Sequence, residues 1–163
     1  MNETIPWATG LSTTLALWAT LTMATVPAAA SPGERPHVEH LNSGKVLPST
    51  LPFSEAVRVG DTLYLAGQIG IKPGTMELVA GGIEAESRQT LDNIKATLEA
   101  HGHRMSDVVK CTVMLADIGE WGSFNEIYQT YFSPPYPARS AFGTNGLAMG
   151  ARVEVECIAA VRN

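Results

Sequence analysis

Two short runs, 54–59 and 62–66, alternate apolar and polar residues with only Gly60-Asp61 between them. Period two sends successive side chains to opposite faces, so both runs predict strands. A Gly-Asp pair at that junction predicts a tight hairpin. From 71 to 82 the alternation lapses, and Pro73, Gly74, Gly81 and Gly82 predict a loop. The period then changes. Ile83, Ser87, Leu91, Ile94 and Leu98 recur at three- and four-residue spacing, with Glu84, Arg88, Asp92, Lys95 and Glu99 on the opposite side. That pattern predicts an amphipathic helix over 83–100, closed by Gly102.

Beyond it, 108–115 predicts a strand, entered through a Ser106-Asp107 turn. Residues 120–132 predict a second helix whose apolar face is Phe124, Ile127, Tyr128 and Tyr131, stopped at Pro134. Two further strands follow at 138–143 and 152–161, joined by a Gly/Asn loop. Residues 31–48 mix Pro, Gly, Ser and charge and predict a linker with a short edge strand near 38–41. The order β-β-α-β-α-β-β predicts an α+β fold, a mixed sheet with both helices packed on one face. The other face carries Glu154 and Glu156 and needs water or a partner.

Length and charge narrow the picture. The chain has 163 residues and a formal net charge of −5, which suits one domain, taken as 49–163. The mild acidity gives no footprint for nucleic acid. No charged residue occurs between positions 5 and 31, and the stretch ends Ala28-Ala29-Ala30-Ser31. Residues 1–30 therefore predict a secretory signal removed after Ala30, placing the domain in the periplasm or outside the cell. Glu3 and the lack of Lys or Arg before the apolar run argue against it. The alternatives are a retained membrane anchor, since the run is long enough to span a bilayer, and a soluble tail or misplaced start. Cys111 and Cys157 both lie in apolar strand runs, and two buried free thiols are the favoured reading. Export would permit a disulfide, but sequence does not reveal whether the two approach each other.

Candidate chemistry concentrates near the C-terminal end. Arg139 follows the turn Pro134-Pro135-Tyr136-Pro137 and opens a strand; Glu154 and Glu156 alternate through another. Charges within strands are costly unless solvated, paired or used. An arginine fork fits a carboxylate with two parallel hydrogen bonds, and a glutamate can hold and activate water. The pair suggests a site that grips a small acid and delivers water to it.

These residues carry a resemblance. Gly60-Asp61-Thr62-Leu63-Tyr64-Leu65-Ala66-Gly67-Gln68-Ile69, the helix around Gln89-Thr90-Leu91-Asp92-Asn93-Ile94, the strand Val108-Val109-Lys110-Cys111-Thr112-Val113, Phe124-Asn125 with Tyr128, Pro137-Ala138-Arg139-Ser140, and Val153-Glu154-Val155-Glu156 resemble the RidA (YjgF) family of imine and enamine deaminases. The resemblance runs from about Val38 to Val161. It implies a chorismate-mutase-like fold and a homotrimer with pockets between subunits. It also implies hydrolysis of small 2-imino and 2-enamino acids to 2-keto acids and ammonia without a cofactor. Arg139 would grip the carboxylate and Glu156 would hold the water, with Glu154 structural. Gly67 would bring backbone close to the ligand, and Asn125 would border the neighbouring subunit's pocket or serve as a surface amide. Phe53 stands where many relatives have tyrosine, and Ala141 where many have cysteine. The Phe53 change removes a hydroxyl contact, whereas the Ala141 amide can still bind a carboxylate. Two other readings remain: a non-catalytic binding module for small carboxylates, and an RNA-cleaving role, which the acidic balance disfavours. His37, His40, His101 and His103 lack convergent partners in the sequence and predict exposed, unliganded side chains rather than a metal site.

Overall fold

The computed structural model describes residues 36–161, so the signal or anchor expected at 1–30 lies outside the described residues. Strands β1 (Val38–Leu41), β2 (Ala56–Val59) and β3 (Thr62–Leu65) form an antiparallel meander, with Gly60 at φ 57° in the two-residue β2–β3 turn. A two-residue strand β4 (Gln68–Ile69) follows, then helix α1 (Gly82–Ala100), β5 (Val108–Leu115), helix α2 (Trp121–Tyr128), β6 (Ala138–Gly143) and β7 (Val153–Ala160). The sheet order is β1-β2-β3-β7-β5-β6, with β4 paired to β7 beyond the end of β3. Only β5–β6 is parallel, and α2 makes that crossover. The α+β expectation, with a mixed sheet and two helices on one face, holds.

The core explains the architecture. Along β7, Val153, Val155, Cys157 and Ala159 are buried, whereas Glu154, Glu156, Ile158 and Ala160 take the other face. The buried set joins Leu63 and Leu65 of β3, Val113 and Leu115 of β5, Leu91, Ile94 and Leu98 of α1, and Phe124 and Tyr128 of α2. Each fully buried aliphatic contributes about 1.5–3 kcal/mol. The face away from the helices leaves Tyr64 and Phe142 about half exposed, at 47% each.

Four local expectations change. The strand expected at 62–66 is not the end of this run: Gln68 opposes Val155 and continues the sheet as β4. Asn93 of α1 holds this piece, its Nδ2 donating to the carbonyls of Ile69 (3.1 Å) and Ile71 (2.9 Å). Helix α2 stops at Tyr128 rather than reaching 132, because the Thr130 hydroxyl donates to the Ile127 carbonyl and the chain turns. Within the expected linker, Val46 and Leu47 are buried against Ile71 in a second small core. Finally, Cys111 and Cys157 are not free thiols. They oppose each other on neighbouring strands, face the core together, and form a disulfide with Cα atoms 4.1 Å apart.

Candidate functional site

Arg139 lies on β6, the edge strand, opposite Cys111 of β5. Its side chain therefore faces the helix layer, half-buried. There Nη2 donates to Asn125 Oδ1 at 2.7 Å, and the guanidinium stacks 4.5 Å from the Tyr128 ring and 5.6 Å from Trp121. Asn125 and Tyr128 are three residues apart on α2, so one helix face offers both. Burial pushes the Tyr128 phenol up, and the Arg139 charge partly opposes that. Arg139 Nη1 is buried and has no hydrogen-bond partner among the described residues. A pocket of about 290 Å³ opens here, lined by Asn125, Tyr128, Gln129, Tyr136, Pro137 and Arg139. This is a cationic, aromatic-walled cleft with a donor to spare, chemistry suited to a small carboxylate.

Gly67 and the two glutamates form a second group. Glu154 opposes Ile69 of β4 and Met114 of β5, and its carboxylate packs directly on Gly67. A Cβ at position 67 would stand 2.0 Å from Glu154 Oε1, so a side chain here would displace the Glu154 carboxylate, a matter of close approach rather than of backbone conformation. Burial, with help from the nearby Glu156 charge, raises the Glu154 carboxyl above the usual carboxylate range. Glu156, opposite Thr112, is exposed. The two glutamates share a face, as period two requires.

The two groups do not meet within one chain. Arg139 and Asn125 sit on the helix side of β6, whereas Glu154 and Glu156 project from the opposite face of β7. Phe53 is half exposed in the loop before β2, and Ala141 packs against the core two residues along β6 from Arg139. Glu156 thus lies apart from the pocket that holds Arg139. The sequence reading also missed how Tyr128 and Trp121 brace Arg139. Their three- and four-residue offsets from Asn125 are the available signal, but the sequence reading places Tyr128 on an apolar helix face and gives Trp121 no role.

The expectation of exposed histidines fails at the end of α1, where His101 and His103 are both only partly exposed. His101, at the end of α1, is not a free surface residue: its ring nitrogen contacts Glu55 Oε1 at 2.8 Å, with Glu55 only 2% exposed. Among the described residues no cluster of three His, Cys, Asp or Glu side chains could hold a metal ion.

A family model described as Endoribonuclease L-PSP matches residues 44–161. The chain belongs to this family, of which RidA is a member. The mouse protein named 2-iminobutanoate/2-iminopropanoate deaminase is 46% identical over 108 residues, 66% of this chain and 80% of the mouse protein. The crystal structure of RidA from Psychrobacter superposes with a TM-score of 0.71 at 39% identity, covering 76% of this chain and 99% of that one. The yeast protein YEO7 gives a TM-score of 0.73 at 34% identity, covering 77% and 100%. The RidA fold is thus shared over the described domain, including the strands that carry Arg139 and Glu154.

Proposed function

We propose that this RidA-family protein hydrolyses small 2-imino acids, and the enamines in equilibrium with them, to 2-keto acids and ammonium, in sites assembled between copies of the chain. The observation that carries this reading is the Arg139 cleft. Its guanidinium lines the pocket, held by Asn125 and Tyr128. Nη1 is a buried donor left without a partner among the described residues, which a small shift of the side chain would turn to a carboxylate. Substrates named for the mouse relative, 2-iminobutanoate and 2-iminopropanoate, carry that carboxylate beside the imine carbon.

The water-holding role expected of Glu156 passes to Glu154 in this proposal. Glu154 is packed on Gly67 and its carboxyl is raised. A carboxyl tuned toward neutrality can take a proton and return it. Glu154 would accept a proton from the attacking water as the C–O bond forms. Starting from the protonated imine, it would then give that proton to the amino nitrogen of the adduct and take the hydroxyl proton as the carbonyl forms and the C–N bond breaks. Ammonia leaves and is protonated by Glu154 to ammonium, and the keto acid remains. Water in, ammonium and keto acid out, balances without a redox partner. Glu156 would act as the nearby charge that makes Glu154 a stronger proton acceptor.

Because Arg139 and Glu154 point from opposite faces, a complete site needs a neighbour. A homotrimer closed about the exposed sheet face would supply it, and a two-helix cover leaves that face available. The domain would work after export, since a disulfide suits an oxidising compartment.

The test is ammonia release from 2-iminopropanoate, generated in situ by an amino-acid oxidase. Wild type should accelerate it. Arg139→Ala should lower both hydrolysis and 2-oxobutanoate binding at least about tenfold, the effect of losing a charge-assisted contact. Keto-acid binding with no turnover would establish a binding module instead, and RNA cleavage by the same preparation would favour the endoribonuclease name.

A further inference from the structure

The disulfide lies next to Arg139. Cys157 of β7 pairs with Cys111 of β5, and Cys111 pairs with Arg139 of β6, so the three residues form one rung across three strands. All three side chains face the helix layer, and both half-cystines are buried, at 0% and 2% exposure. Among the described residues, strand β6 is an edge strand whose only sheet neighbour is β5. Whatever sets the register of β5 therefore also sets the height of Arg139.

That register is vulnerable just before this rung. Val108 pairs with Ala159 and Lys110 with Ile158, leaving Val109 as an extra residue in a bulge. A bulge is one residue of slack, and moving it along the strand turns every side chain it passes to the other face. Val108 and Val109 are identical in type, so the apolar pattern does not distinguish them at this end. If the bulge moved beyond Cys111, Lys110 would oppose Cys157 and turn inward. Cys111 would then oppose Glu156 and turn out. A covalent link between Cys111 and Cys157 forbids that slip two residues after the bulge.

We propose that the Cys111–Cys157 disulfide is a positioning element for the carboxylate site: it locks β5 against β7 and so holds Arg139 on β6 in its cleft. The proposal rests on the reading of Arg139 as the carboxylate grip. It assigns the cystine to binding rather than to chemistry, because neither sulfur reaches the pocket lining.

Three preparations test it: oxidised wild type, wild type unfolded, reduced and refolded in dithiothreitol, and the double variant Cys111→Ala/Cys157→Ala. Each is assayed for 2-oxobutanoate binding by calorimetry, for KM and kcat on 2-iminopropanoate, and for amide hydrogen exchange along β5 and β6. The two forms without the disulfide should bind keto acid at least about fivefold more weakly, raise KM with kcat little changed, and exchange faster at β6. The double variant should be indifferent to dithiothreitol. Equal binding and equal β6 exchange in all three would overturn the proposal, as would free thiols in protein matured in an oxidising compartment. So would outright unfolding of both disulfide-free forms, which would make the cystine a general staple. If oxidised wild type neither binds nor hydrolyses, the proposed function fails, while the β6 exchange comparison still decides whether the disulfide fixes that strand.

Discussion

The Glu154 carboxylate occupies the space that any side chain at Gly67 would need, 2.0 Å from where a Cβ would stand. The contact falls on the movable end of Glu154 rather than on backbone. Gly67→Ala should therefore fold, with Glu154 swung away from β4. Imine hydrolysis should fall at least about tenfold while the melting temperature drops only by the few degrees expected of about 1 kcal/mol. Wild-type turnover in Gly67→Ala would show that the position of Glu154 does not matter.

The raised Glu154 carboxyl carries a pH signature. Burial is the larger cause and the Glu156 charge the smaller. Native protein holds the proton above the pH at which the unfolded chain releases it. Stability from this group is thus full at low pH and is lost as pH rises from the unfolded to the folded value. Glu154 must start unprotonated to accept the water's proton, so activity rises as pH rises through the same folded value. Glu156→Gln removes the smaller cause, so the rising limb of the pH–rate profile should move to lower pH without disappearing. Glu154→Gln should abolish that limb together with most of the rate. A profile unchanged in Glu156→Gln would uncouple the two carboxylates.

His101 and Glu55 form the buried polar contact that the sequence did not disclose. The pair ties the end of α1 to the start of β2, and the Glu55 carbonyl accepts from Ala66 N–H, one residue before Gly67. The Glu55 side chain is 2% exposed and His101 12%, so little water can replace a lost partner. His101→Ala should cost about 1.5–3 kcal/mol, the worth of a hydrogen bond to a charged group, read as a lower urea midpoint with unchanged slope. A midpoint equal to wild type would mean that Glu55 finds another partner.

The elements were legible where one period dominated. Period two marked β2, β3 and β7, and the three-four spacing marked α1, because each buries one continuous face. The failures share a cause: they depend on which strands become neighbours. Cys111 and Cys157 are 46 residues apart, and only the β5–β7 register makes them opposite. Gln68–Ile69 is too short to show a period and exists as β4 because β7 continues past β3. The choice between Glu154 and Glu156 could not be made from alternation, since both face the same way. The proposal takes Glu154 because its carboxylate packs on Gly67. Arg139 was visible from its segment, but its placement on the face away from the glutamates followed only from the parallel pairing of β5 with β6.

That opposition of faces yields the most discriminating prediction. If each site takes Arg139 from one subunit and Glu154 from the next, two inactive variants can repair each other. Arg139→Ala chains still supply Glu154, and Glu154→Gln chains still supply Arg139. In trimers unfolded together and reassembled from an equal mixture, a given site has an intact arginine half the time and an intact glutamate from its neighbour half the time. About a quarter of the sites should then be whole, so the mixture should recover roughly a quarter of wild-type activity. Separately refolded variants, mixed afterwards without exchange, should stay inactive. The double variant Arg139→Ala/Glu154→Gln, reassembled with an equal share of wild type, provides the calibration, since it too leaves about a quarter of shared sites whole. A site contained within one chain predicts otherwise: no recovery from the two single variants, and about half of wild-type activity from the calibration mixture.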